Sequence, residues 1–276
     1  MSSTATVSNS HSRRVGAFEK RVHEVDLIRG ILIIIVLIDH IINNFFIHSE
    51  TWYQLSGNYF WHNVYEFTNF YWFCVPRQII RQICLFLFVF ISGISCAFSR
   101  NNWKRAAEMI VVFAVLQVVG NLLNSWKWLG ETNTIIDFNV IGVLAFSTLF
   151  YCFVQNAGWK GILASALLWG LFSTYGMDIL RTIPGTLEAR VPSLVEPTFP
   201  VGDWMPLVPY ITFFFLGALF SMFVYQDRTS KLTRHEWERP FCFVGRHTIW
   251  IYLTHQAIFI PLFMGITAIV RAVYGA

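Results

Sequence analysis

The chain has 276 residues, of which 55% are hydrophobic, 17% aromatic and only 13% charged, with a net charge of +4 at pH 7. Soluble domains carry about 25% charged residues, so this deficit excludes an ordinary soluble core and calls for a lipid bilayer as partner. The positive charge is small and scattered over separate connections, which excludes a nucleic-acid-binding stripe.

The expected fold class follows from the hydropathy: an all-α integral membrane protein, a bundle of about seven or more transmembrane helices. Residues 1–22 are polar, Ser/Thr-rich and basic, and read as a disordered cytosolic leader without a signal peptide. Residues 23–276 read as a single multi-span membrane domain. A bilayer needs about 20 apolar residues per crossing, and seven segments qualify: 27–47, 80–99, 106–125, 136–155, 161–176, 206–225 and 247–270. The fifth is the shortest. Trp159-Lys160, flanked by Gly158 and Gly161, reads as a tight turn between spans four and five.

Orientation follows from Lys and Arg in the connections. With the N-terminus cytosolic, the inner segments hold most of them, as a multi-pass chain requires; the plasma (inner) membrane is the expected location. Two outer segments are then long. Residues 48–79 are rich in aromatics and read either as an interfacial belt or as a lid over an outward-facing pocket. Residues 177–205 carry charges and prolines, and Asp203 at their end reads as a solvated cap before span six.

Span one holds the strongest signal. On a helix turning about 100° per residue, Asp26, Arg29, His40 and Asn44 fall along one stripe. The other sides carry Ile31, Leu32, Ile34, Ile35, Val36 and Ile38. Asp26 and Arg29 suit a local i,i+3 pair. His40 lies about 20 Å further along the helix, deep in hydrocarbon, where an ionisable group is functional by default. Burial keeps such an imidazole neutral, the form a general base or a nucleophile needs. Asp39 points about 100° away from His40 and its role stays open.

Span two ends in Ser92, Ser95, Cys96 and Ser99, a small-residue face suited to close helix packing around Gly93. Arg100, Lys104 and Arg105 follow; they read first as a topology signal and second as a clamp for phosphates. Span seven begins at Gly245-Arg246-His247 and places Tyr252, His255 and Gln256 on one face, turned toward the seam of span one. The five cysteines are scattered and show no metal-ligand spacing, so no metal site is expected.

Four motifs in this order resemble a known family. Asp-x-x-Arg-Gly at 26–30 followed by His40 resembles the opening of the transmembrane acyltransferase superfamily. Phe-x-Phe-Ile-Ser-Gly-Ile-Ser at 88–95, Pro-Leu-Val-Pro-Tyr at 206–210 and Gly-Arg-His-Thr-Ile-Trp-Ile-Tyr-Leu-Thr-His-Gln at 245–256 resemble the bacterial branch related to heparan-α-glucosaminide N-acetyltransferase. The resemblance implies a multi-span enzyme that takes an acyl group, usually acetyl, from acetyl-CoA or another acyl-CoA in the cytosol. It passes the group to an amine or hydroxyl of an extracytoplasmic acceptor, a glycan or a small molecule.

The resemblance further implies that His40 is the reactive histidine. His48 is the alternative, because the heparan-acetylating branch has an asparagine at the His40 position and a histidine about three turns later. Asn44 stands where bacterial relatives often show an aspartate. Asp26 and Arg29 would shape the CoA entrance, with Arg100, Lys104, Arg105 and Arg246 on its phosphates. His255 and Gln256 would support the tetrahedral intermediate. A histidine-lined transporter or proton-coupled carrier stays open as the alternative, and a homodimer stays open as the assembly.

Overall fold

The computed structural model describes residues 22–125, 138–176 and 205–274, and they are all-α. The helices are α1 (His23–Ser56), α2 (Tyr59–Phe73), α3 (Val75–Phe98), α4 (Asn102–Ser125) and α5 (Val140–Val154). Then come α6 (Gly158–Leu171), α7 (Leu207–Val224), α8 (Arg239–Arg246) and α9 (Thr248–Tyr274). Among the described residues, five stretches are long and apolar enough to cross a membrane: Val75–Phe98, Asn102–Leu122, Val140–Gly176, Leu207–Val224 and Thr248–Tyr274. The described residues form two compact units, one up to Phe88 and from Thr229 onward, the other Val89–Arg228.

In the first unit, α1 runs for 34 residues, about 50 Å, well beyond a hydrocarbon core of about 30 Å. It ends at Gly57, whose φ of +64° suits a residue without Cβ and whose N–H returns to the Tyr53 carbonyl at 2.8 Å. Asn58 then caps α2 by accepting from the Phe60 amide at 2.9 Å. Contacts pair Tyr53 with Tyr59, Phe46 with Tyr65 and Asp39 with Tyr71, so α2 folds back antiparallel along α1. Residues 48–79, expected as an outer connection, are therefore largely a helical hairpin. Only Gly57-Asn58 interrupts them before Cys74, and an aromatic run without breakers keeps its helix once it has a partner to pack on.

α9 runs parallel to α1: Gln256 meets His40, Phe263 meets Phe45, and Thr267 meets Trp52. α8 crosses the first turns of α1 where two glycines meet. A Cβ built on Gly30 would run into the Phe241 carbonyl, and one on Gly245 into the Asp26 carbonyl. The backbones touch there because neither helix carries a side chain.

In the second unit, Trp103 meets Phe153 while Phe113 meets Phe138 and Phe146, so α4 and α5 are antiparallel. α5 and α6 form a hairpin, with Phe150 on Trp169. The break lies at Gln155–Ala157 and at Gly158, whose φ is +66°. Trp159 and Lys160, expected in the turn, already belong to α6. α6 is antiparallel to α7 (Trp159 on Phe223, Gly170 near Thr212). Gly93 of α3 and Gly217 of α7 make a second close crossing, against the Phe214 and Phe90 carbonyls. The small-residue end of α3 is a packing face. Asp203 and residues 177–204 lie outside the described residues.

Candidate functional site

α1 and α9 bring the seam residues together. The His40 and His255 rings lie 4.7 Å apart, centroid to centroid, tilted by 49°. Gln256 Nε2 approaches His40 Nδ1 at 3.1 Å, and His255 Nδ1 lies 2.5 Å from the Tyr252 carbonyl. His255 is buried and His40 half-buried. The i,i+1 placement of His255 and Gln256 lets both reach one imidazole, because α9 runs parallel to α1 with His40 between them. Asn44 is also buried, and its amide donates to the His40 carbonyl at 2.8 Å, one turn back along its own helix.

His48 lies two turns further along α1, in a different setting. Its ring stacks on Trp52 and Phe263 at 5.9 and 5.8 Å. Its Nδ1 is 3.4 Å from Thr267 Oγ1, which also accepts from Trp52 Nε1 at 2.8 Å. Trp52, Phe263 and Val270 form a buried cluster. An imidazole in this wall can hydrogen-bond, but its surroundings are aromatic rather than polar.

At the N-terminal end of α1, Asp26 Oδ1 lies 3.9 Å from Arg29 Nη1 and Asp26 Oδ2 3.8 Å from Arg246 Nε. Arg246 Nε also donates to the Cys242 carbonyl at 3.0 Å. One carboxylate thus holds two guanidinium groups on one side of the Gly30–Gly245 crossing, the type of cationic pair that binds phosphate.

A comparison with protein families matches residues 21–257 to one family, described as heparan-alpha-glucosaminide N-acetyltransferase, catalytic. The chain belongs to that family. Comparisons with curated proteins and with solved structures find no match. The match covers the whole of α1 and reaches α9 just beyond Gln256, so the heparan-alpha-glucosaminide N-acetyltransferase family assignment includes the His40–His255–Gln256 cluster. Phe263 and Thr267, two of the three residues that contact His48, fall after it.

The cations Arg100, Lys104 and Arg105 belong to the second unit, after α3 and in the first turn of α4. Arg100 and Lys104 are exposed, and Lys104 Nζ lies 3.8 Å from Glu108. An exposed pair of this kind contributes little to stability.

Two constellations escaped the sequence reading. Arg77, within the segment 48–79 expected as an outer connection, is buried and grips Asp39 with both Nε and Nη2 at 2.8 Å. Tyr71 donates to the same carboxylate at 3.0 Å, and the Trp72 ring lies 3.7 Å from the guanidinium carbon. An aspartate inside an apolar run demands such a partner, which was the available signal; its address was hidden by the hairpin.

The second surrounds Glu24. Lys231 N–H donates to Glu24 Oε1 at 2.7 Å, and the Ser230 hydroxyl donates to Glu24 Oε2. Ser230 Oγ accepts from the His23 amide at 3.0 Å, so a residue from the far end of the chain caps α1. His23 Nε2 is 3.3 Å from Glu238 Oε2. Burial pushes the Glu24 carboxyl up, but the Lys231 amide, the Ser230 hydroxyl and further hydrogen bonding outweigh it. The group is held below its ordinary value of 4.5. Among the described residues, no group of three His, Cys, Asp or Glu side chains is placed to hold a metal ion, and the five cysteines are free thiols.

Proposed function

We propose that this protein is a membrane acyltransferase that moves an acyl group, acetyl in the simplest case, from acyl-CoA to an amine or hydroxyl of an acceptor on the opposite membrane face, a sugar in the favoured case. The observation that carries the reading is the His40–His255–Gln256 cluster, two imidazoles and an amide gathered from parallel helices within an apolar setting. Membership of an acetyltransferase family supports the same reaction class. The N-terminus is cytosolic in this reading, and the plasma (inner) membrane is the site of the enzyme.

The donor would enter beside Asp26, with Arg29 and Arg246 facing its phosphates. Arg29 and His40 are 11 residues apart on one helix, about 16 Å, a distance the extended pantetheine arm of CoA can bridge. The acceptor nitrogen or oxygen attacks the thioester carbonyl while His40 takes its proton. The C–S bond then breaks, and the proton returns to the departing thiolate. A variant of the route has His40 carry the acyl group between two half-reactions, which gives ping-pong kinetics instead of a ternary complex.

The test is CoA release by the purified protein in lipid, with sugar amines and glycan fragments as acceptors. His40→Ala is expected to lower turnover by about 10²–10⁴-fold, the contribution of a positioned base, with His48→Ala retaining most of it. Loss confined to His48→Ala moves the chemistry to the aromatic wall. Folded wild type that binds no acyl-CoA in calorimetry refutes the enzyme and leaves the carrier.

A further inference from the structure

The first turn of α1 meets the turn before α8 through a chain of contacts whose hydrogens can be placed one by one. Glu24 is held ionised, and a carboxylate can only accept. Its Oε1 takes the Lys231 N–H at 2.7 Å, and its Oε2 takes the single hydrogen of the Ser230 hydroxyl. Ser230 Oγ has no second hydrogen to give, so His23 Nδ1, 2.5 Å away, must donate to it. The other ring nitrogen, Nε2, lies 3.3 Å from Glu238 Oε2, and both atoms are buried. A lone pair on Nε2 would repel the carboxylate oxygen there; a hydrogen makes an ion pair.

The ring thus sits between two buried carboxylates, because Glu24 Oε2 is also 3.3 Å from Nδ1. From the connection before α8, Lys231 reaches the cluster through its main-chain N–H. From α8, the Cys242 thiol faces the His23 carbonyl at 3.6 Å. Burial pushes that thiol up, so it stays a neutral donor, with Arg234, Asp26, Glu238 and Arg246 acting on it electrostatically.

We propose that His23 carries hydrogens on both ring nitrogens and is a positioning residue for Arg246, so that the hold on the donor's phosphates follows the charge of this imidazole. The role of Arg246 here rests on the acyl-transfer reading; the placement of the hydrogens does not. α8 is only eight residues long, and α1 grips it at both ends. Glu238 directly precedes it and meets His23. At the far end Gly245 lies against the Asp26 carbonyl, and Arg246 Nε is 3.8 Å from Asp26. Loss of the second ring hydrogen turns the Glu238 contact from attraction to repulsion. A helix of about two turns has little length over which to absorb that shift, so Arg246 moves with Glu238.

The ring is read directly by ¹⁵N NMR of histidine-labelled protein in lipid bilayers, with His23→Gln used to assign the signal. Near neutral pH the wild-type ring is expected to carry hydrogen on both nitrogens, and Glu238→Gln to lose the second one at lower pH. Thermal unfolding and calorimetry with CoA are then run across the pH span in which that signal titrates. Folding is favoured by the protonated ring, so the stability advantage of wild type over Glu238→Gln is full at the acid end and shrinks as pH rises. CoA affinity of wild type is expected to fall about 5-fold or more over the same span, the scale of a modest coupling between two sites, and that of Glu238→Gln to fall less.

A wild-type His23 ring with a bare nitrogen at neutral pH overturns the placement of the hydrogens. CoA affinity that changes equally with pH in wild type and Glu238→Gln overturns the positioning role. Wild type with the expected spectrum and stability profile that binds no CoA leaves the clamp standing and removes the acyl-transfer reading, so the two failures are distinct.

Discussion

Gly30→Ala is the most informative single substitution in the first unit. The added Cβ would run into the Phe241 carbonyl oxygen, with the carbonyl carbon at 2.7 Å and Gly245 N at 3.1 Å. All three are main-chain atoms, so no rotamer change relieves the overlap. α1 and α8 must part by about 1 Å to restore carbon contacts near 3.5 Å. Overpacking of this kind costs about 1–3 kcal/mol. At about 2 kcal/mol, thermal unfolding moves down by roughly 4–8 °C for a chain of this size. The displacement also stretches the 3.8 Å approach of Arg246 to Asp26, so under the acyl-transfer reading proposed above the KM for acyl-CoA is expected to rise more than kcat falls. Gly265→Ala is the matched control: nothing lies within 4 Å of its added methyl, and alanine gains about 1 kcal/mol over glycine in a helix. The assay is thermal unfolding of both variants in the same detergent. Equal stability of Gly30→Ala and wild type, or an equal fall in both variants, refutes the close crossing.

Three further outcomes are expected. Asp39→Asn and Arg77→Gln each leave the other partner of a buried bidentate pair uncompensated, at about 3–5 kcal/mol. The double variant recovers part of that loss, and chemical denaturation of the four proteins gives the coupling. Glu24 contributes to pH-dependent stability: its folded pKa is lowered below 4.5, so its contribution is complete above that value and fades as pH falls through the folded pKa. The stability gap between wild type and Glu24→Gln should therefore be constant near neutrality and close in acid; a gap that widens on acidification contradicts the Lys231–Ser230 contacts. Trp52→Phe removes the 2.8 Å bond to Thr267 inside a fully buried site and should cost about 1–2 kcal/mol in thermal unfolding.

The sequence carried the class of the protein and half of its candidate site. Apolar length has no soluble alternative at this composition, so the helical membrane character needed no tertiary information. The 3.6-residue repeat alone placed Asp26, Arg29, His40 and Asn44 on one stripe, and His255 beside Gln256 on another. Periodicity describes one helix at a time, however, and says nothing of which helix answers it. The hairpin of α1 and α2 was read as a connection because its aromatic residues look alike on a belt and on a packed helix; only Gly57 distinguishes them.

Pairing across distance was the part that tertiary structure alone decided. Arg77 meets Asp39 and Ser230 caps His23 because the helices bring residues 38 and 207 positions apart within hydrogen-bond reach. Gly30 and Gly245 looked like parts of motifs, and the fold shows them as the point where two backbones touch. Local sequence sets which groups a helix can offer. A buried charge or a bare backbone is satisfied by whatever the rest of the chain delivers, and that choice is made only when the helices pack.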